Sequence, residues 1–220
     1  MRLFATIALV ALAVSLPAGE PSAADFVGRL KSLDASYDDW PPIIEAGKAA
    51  IPELKKLLAD PNEEARAAAA VLLYRLGDAT ALNTLDALLE AKSAAARKEA
   101  AEAIAAFTGG PAGDGAGLAA WRAWWKANHD NALAAEPLAS LYGKVTGVEA
   151  STGLVALSVA GRHGSRRGMQ FNVRRGDDFV CLLDIVFATG KGSVGRIVPF
   201  SDRSAPKEGN GCFWTKPQGK

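Results

Sequence analysis

The side chains most capable of chemistry in this 220-residue chain gather in one short stretch. Arg162, His163, Arg166, Arg167, Arg174 and Arg175 fall within a segment that contains no acid. Guanidinium forks at that density suit phosphate, carboxylate or sulfate groups, so the stretch is a candidate anion-binding turn. The competing reading is a solvated hairpin, partly neutralised by Asp177 and Asp178. A second candidate is the triplet Trp121, Trp124 and Trp125, at i, i+3 and i+4 on one helix face. It reads either as an aromatic surface for sugar rings or a peptide, or as a cap on a helical stack. Cys181 and Cys212 enclose a loop of about 30 residues, and are either a disulfide or two buried thiols.

Other chemistry lacks its residues. There is no GxSxG elbow, and Gly190-Lys191-Gly192-Ser193 lacks both the leading glycine and the hydroxyl residue directly after lysine that a phosphate loop requires. His129 and His163 are not spaced with Cys or acids as metal ligands would be. Asp38-Asp39, Glu63-Glu64 and Asp177-Asp178 are adjacent pairs, suited to caps and turns rather than to facing each other across a cleft. No catalytic residue, metal ligand or cofactor is therefore assigned, and the expectation is a protein that is not an enzyme.

The balance of 25 Lys+Arg against 24 Asp+Glu argues against a strong positive field for nucleic acid. That balance is an average. Residues 25–136 hold 12 basic against 17 acidic side chains, net −5, whereas 137–220 hold 12 against 6, net +6. The two halves are expected to dock on each other or to meet partners of opposite sign.

At the N-terminus Arg2 precedes an uncharged, mostly apolar run from Leu3 to Leu16, then Pro17 and the small residues Ser22-Ala23-Ala24. This is the pattern of a signal peptide over 1–24, cleaved between Ala24 and Asp25. The mature protein is then expected in the periplasm or outside the cell, with no later segment apolar enough to span a membrane. An uncleaved N-terminal anchor is the alternative.

A shift of 31 residues superposes Ile51, Leu54, Leu57 and Leu58 on Leu82, Leu85, Leu88 and Leu89, and Arg66 on Arg97. Helical spacing within each unit, interrupted at Asp60-Pro61-Asn62 and Ala91-Lys92-Ser93, makes each unit two helices and a turn, with Asn62 and Ser93 as caps. Phe26, Val27, Leu30 and Leu33, then Trp40, Ile43, Ile44 and Gly47, read as a degenerate first unit. Arg66 and Arg97 are either turn-capping groups or a ladder for a ligand. The run Asp60, Pro61, Arg66, Ala69-Ala70, Leu76, Gly77 resembles HEAT repeats of the short, bacterial, phycobilisome-lyase-like type. That resemblance implies an α-α superhelix over 25–130, closed by the Trp-rich helix.

After a linker at 131–137, alternating apolar residues in short runs indicate a small all-β barrel over 138–220, an α+β multidomain chain overall. The runs include Val155, Leu157, Val159; Met169, Phe171, Val173; Phe179 to Phe187; and Val194 to Val198. Gly143, Val145, Gly153, Leu157, Gly168, Met169, Phe171, Val173 and Gly176-Asp177 resemble a β module seen in exported bacterial proteins, including the C-terminal domain of flagellar assembly protein T. Ser165 departs from that pattern, where an apolar residue is usual. The expected function is an exported interaction scaffold or adaptor with protein partners. The alternative is a module binding an anionic cell-envelope polymer through the basic turn.

Overall fold

The computed structural model describes residues 25, 27–30, 40–111, 113 and 117–217. The expected signal peptide lies outside the described residues, as do Phe26 and Leu33. Among the described residues from Trp40 on, six α-helices come first: α1 Trp40–Ala46, α2 Ile51–Leu57, α3 Glu63–Arg75, α4 Ala81–Leu88, α5 Ala94–Thr108 and α6 Leu118–Ala134. Six strands follow: β1 Ser140–Glu149, β2 Leu154–Leu157, β3 Gln170–Arg175, β4 Asp178–Ala188, β5 Ser193–Ile197 and β6 Gly211–Thr215. The molecule is an α+β protein, helices first and a closed β barrel second.

Helices α3 and α5 begin where a short polar side chain takes up amides that the first turn leaves unpaired. Asn62 Oδ1 accepts the N–H of Glu64 at 2.9 Å and of Ala65 at 3.4 Å. Ser93 Oγ accepts the N–H of Ala96 at 3.2 Å. Helix α3 ends on Gly77, whose φ of 101° only glycine adopts without strain. There Gly77 N–H donates to Tyr74 C=O and Asp78 N–H to Leu73 C=O, which satisfies two end-of-helix carbonyls. Ala65, Ala67 to Ala70, Leu72 and Leu73 are all buried, so α3 is the central helix of the stack and its methyl groups set its close spacing from α2, α4 and α5.

Arg66 and Arg97 resolve into the turn-capping role. Arg66 Nη1 donates to Asp60 C=O at 2.7 Å, and Arg97 Nη1 to Ala91 C=O at 2.6 Å and Lys92 C=O at 2.8 Å. The repeats are also stapled to each other. Glu63 Oε2 accepts the Ser93 N–H at 2.6 Å, and that amide, with the one at Lys92, holds the Glu63 carboxyl below its ordinary range. Helix α6 lies across the open end. Trp121, fully buried, donates Nε1–H to Asp86 at 2.7 Å, and Arg122 pairs with both Asp86 and Glu90.

All strand neighbours in the barrel are antiparallel, in the closed order β1-β2-β5-β4-β3-β6. Irregularities at Val145/Gly147, Val173/Arg174 and Ile185/Phe187 supply the coiling that closure needs. Leu141, Val145, Val155, Leu157, Phe171, Val173, Leu183 and Ile185 fill the interior. Strand β6 (GCFWT) shows no clean alternation of apolar and polar residues, yet it is the element that joins β3 to β1 and leaves no edge. Ser165 is buried, and its hydroxyl is satisfied by the Ser193 hydroxyl at 2.8 Å.

Removing the Arg66 guanidinium leaves the Asp60 carbonyl without its charged donor. Arg66→Ala is expected to lower stability by about 1–2 kcal/mol. Urea unfolding followed by circular dichroism checks this, with the midpoint falling and the slope unchanged.

Candidate functional site

The basic run lies in the β2–β3 connection and on β3, and its first two members turn inward. Gly161–His163 forms one 3-10 turn, pressed against α3 and α5. His163 is fully buried; its Nδ1 accepts the Ala160 N–H at 3.3 Å, so the ring proton sits on Nε2, 3.2 Å from Glu99 Oε1. Arg162 is also buried, with Nε 2.9 Å from Glu99 Oε2 and Nη2 3.7 Å from Glu102 Oε2. The Nε approach is too bent to be a hydrogen bond, and neither atom has another among the described residues, so this contact acts through charge. From α3, Arg75 Nη1 donates to the carbonyls of Gly161 and Arg162, at 3.2 and 3.3 Å. Phe107 meets the His163 ring edge-on and stacks on Tyr74 at 4.2 Å. On the other side of the junction, the Gly109 α-carbon lies so close to Tyr142 that a Cβ would come within 3.1 Å of its ring.

Glu99, Glu102 and His163 offer ligand atoms within 4.8 Å of one another, the size of a small metal site. The donor chemistry does not suit an ion. A ligating Nε2 would move the ring proton to Nδ1, where the Ala160 N–H already points. Arg162 moreover supplies positive charge to both carboxylates. The cluster locks the β2–β3 connection against α5.

The rest of the basic run points elsewhere. Arg166 and Arg167 are exposed on the turn leading into β3. Arg174 lies over the Phe213 ring at 5.5 Å, and Arg175 donates to Ala205 C=O at 3.0 Å. Three pairs of residues within 162–175 thus divide among three places. Trp121, Trp124 and Trp125 stack on one another, with Trp121 and Trp125 buried, so their faces seal the helical stack. His129 bridges Asp130 and Asn83 on the α6 surface.

Of the two readings of Cys181 and Cys212, the structure has the buried free thiols and not the disulfide. Both stand opposite Val173, one on each side of β3. Two strand spacings separate them by about 10 Å, beyond the Cα span of a disulfide. Burial pushes their pKa values to about 11 and about 12, which keeps them protonated and poor nucleophiles near neutrality. Gly190–Gly192 is a tight turn in which Thr189 Oγ1 accepts the Lys191 and Gly192 amides.

Glu99, Glu102 and Arg75 escape a motif search because they form no motif. One sequence signal exists for Glu99. It shares the buried stripe of α5 with Ala96, Ala100 and Ala103, and a carboxylate in such a stripe requires a partner from another element.

A family model of HEAT repeats matches residues 46–120, from the end of α1 into the start of α6. The match covers about a third of the chain and stops before the barrel. No curated protein and no solved structure matches the chain.

Breaking the lock from one side strands charge in a dry interface. Glu99→Ala is expected to cost about 3–5 kcal/mol, and Glu99→Leu combined with Arg162→Met to recover most of it. Denaturant titrations of the double-mutant cycle measure this. A separate effect concerns Glu102, whose carboxyl is pushed up from 4.5, first by burial and then by the Glu99 charge. The folded state therefore holds this proton more tightly than the unfolded chain, and stability attributable to Glu102 falls as pH rises above about 4.5. Glu102→Gln is expected to flatten that part of the profile, raising the melting temperature at pH 7 relative to wild type but not at pH 4.

Proposed function

We propose that the chain is an exported, non-enzymatic interaction protein in which a HEAT-repeat surface and a β-barrel adaptor act as a docked pair. The observation that carries this reading is the HEAT-repeat match over 46–120, because stacked helical repeats characteristically offer extended surfaces to protein partners. The barrel takes part of the α3 and α5 surface. That leaves the outer sides of the stack, including Lys56 and Lys98 with side chains 72% and 75% exposed, open to a partner. A binding role is supported by the buried polar groups, which are engaged with one another, and by thiols held protonated. Export rests on the apolar run Leu3–Leu16 and the small residues ahead of Asp25. The phycobilisome-lyase-like character of the repeats and the kinship of the barrel with the flagellar assembly protein T module belong to this proposal, on the residue patterns given above.

The test is photo-crosslinking in intact bacteria producing the full chain, with the crosslinking residue placed at Lys56 or Lys98. The expected outcome is a discrete adduct with one envelope protein, and a mature N-terminus at Asp25 by end sequencing. No adduct above that from a buried control position would overturn the scaffold reading. An intact Met1 on all material would overturn cleavage at Ala24.

A further inference from the structure

Arg166 and Arg167, on the turn into β3, border the outward-facing side of β3 and β6. Arg166 and Arg167 line a groove of about 500 Å³ together with Gln170, Asn172 and Trp214. That volume falls within the range of about 300–1,000 Å³ usual for small-ligand sites. Buried Met169 also lines it, and its sulfur is 3.2 Å from the Arg166 backbone N–H, which fixes the turn that carries both arginines. Trp214, on β6, is only partly covered by the core. Asp184, outside the groove, holds the Gln170 amide at 3.0 Å.

We propose that this groove is a binding site for an acidic saccharide, with a sugar ring against Trp214 and its carboxylate on the Arg166–Arg167 pair. Each wall contributes a different part of that recognition. An indole supplies a flat apolar face with a polar edge, which suits the C–H face of a pyranose. Guanidinium groups bind carboxylates through paired charge-assisted hydrogen bonds. The amides of Gln170 and Asn172 carry both donors and acceptors, matching the hydroxyls of a sugar. An extended peptide is disfavoured because the barrel is closed and offers no strand edge for main-chain pairing. The site is independent of the helical surface invoked above, so either reading stands without the other.

The experiment is calorimetric titration of the full chain with tetragalacturonate, its methyl ester and hexaglutamate, at low and near-physiological salt. Tetragalacturonate is expected to bind in a salt-sensitive manner, and the ester and hexaglutamate at least about tenfold more weakly. Arg166→Ala with Arg167→Ala is expected to weaken binding by about tenfold or more. Arg174→Ala with Arg175→Ala removes the same charge outside the groove and is expected to change it less than about threefold. The Trp214 indole N–H resonance, identified by Trp214→Phe, is expected to shift during the titration. No binding of tetragalacturonate, equal binding of the ester or hexaglutamate, equal loss in the two arginine pairs, or an unmoved Trp214 resonance would each overturn the proposal.

Discussion

The Glu99 carboxylate sits at 1% exposure between a helical stack and a barrel, where water cannot solvate its charge. An ion in that position is tolerable only if other groups approach it from the right directions. Its own helix offers alanines, so the partners come from the barrel: Arg162 by charge and His163 through its Nε2. That requirement sets where the β2–β3 connection lies against α5, and with it the rotation of the barrel on the stack. Arg75 binding two carbonyls of the same turn, the Tyr74–Phe107–His163 ring contacts and the close approach of Gly109 to Tyr142 all follow from one docking arrangement. A buried ion pair adds little net stability compared with apolar groups of equal volume. Its consequence here is orientation, because any other docking leaves Glu99 bare.

The opposed net charges of the two halves meet at the junction. Glu99 and Glu102 meet Arg162, and Glu136 meets Lys216 at 2.8 Å on the exposed rim. Arg166, Arg167, Arg174 and Arg175 stay exposed. Docking therefore leaves the barrel with an outward basic surface, and the helical stack with acids such as Glu53 and Glu90 facing solvent. The charge asymmetry is thus still available to partners after the two halves have met.

Inside the stack, one residue type at two equivalent positions performs one task. Arg66 and Arg97 each reach back across their turn to carbonyls that the preceding helix leaves open. Inside the basic run, one residue type at neighbouring positions performs several tasks, because the turn carries Arg162 into the interface and Arg166 out of it. Periodicity makes the first pattern local; the second depends on what lies across the junction.

Local information in the chain was enough to place the helices, their caps at Asn62 and Ser93, the 31-residue repeat, and the alternating strands β2 to β5. Each of these depends on hydrogen bonds or side-chain spacing within a few residues, which a sequence states directly. Strand β6 was not legible, since its pairing with β1 and β3 is set by the closing of the barrel. Nor was the separation of Cys181 from Cys212, because an even cysteine count says nothing about a strand running between them. The Glu99 lock was visible only as an acid in an alanine stripe, with no hint of which base would answer it. Elements, repeats and total charge are thus properties of the chain read residue by residue. Which arginines are buried and which stay at the surface is a property of the packed molecule, because burial depends on what reaches a side chain from elsewhere in the chain.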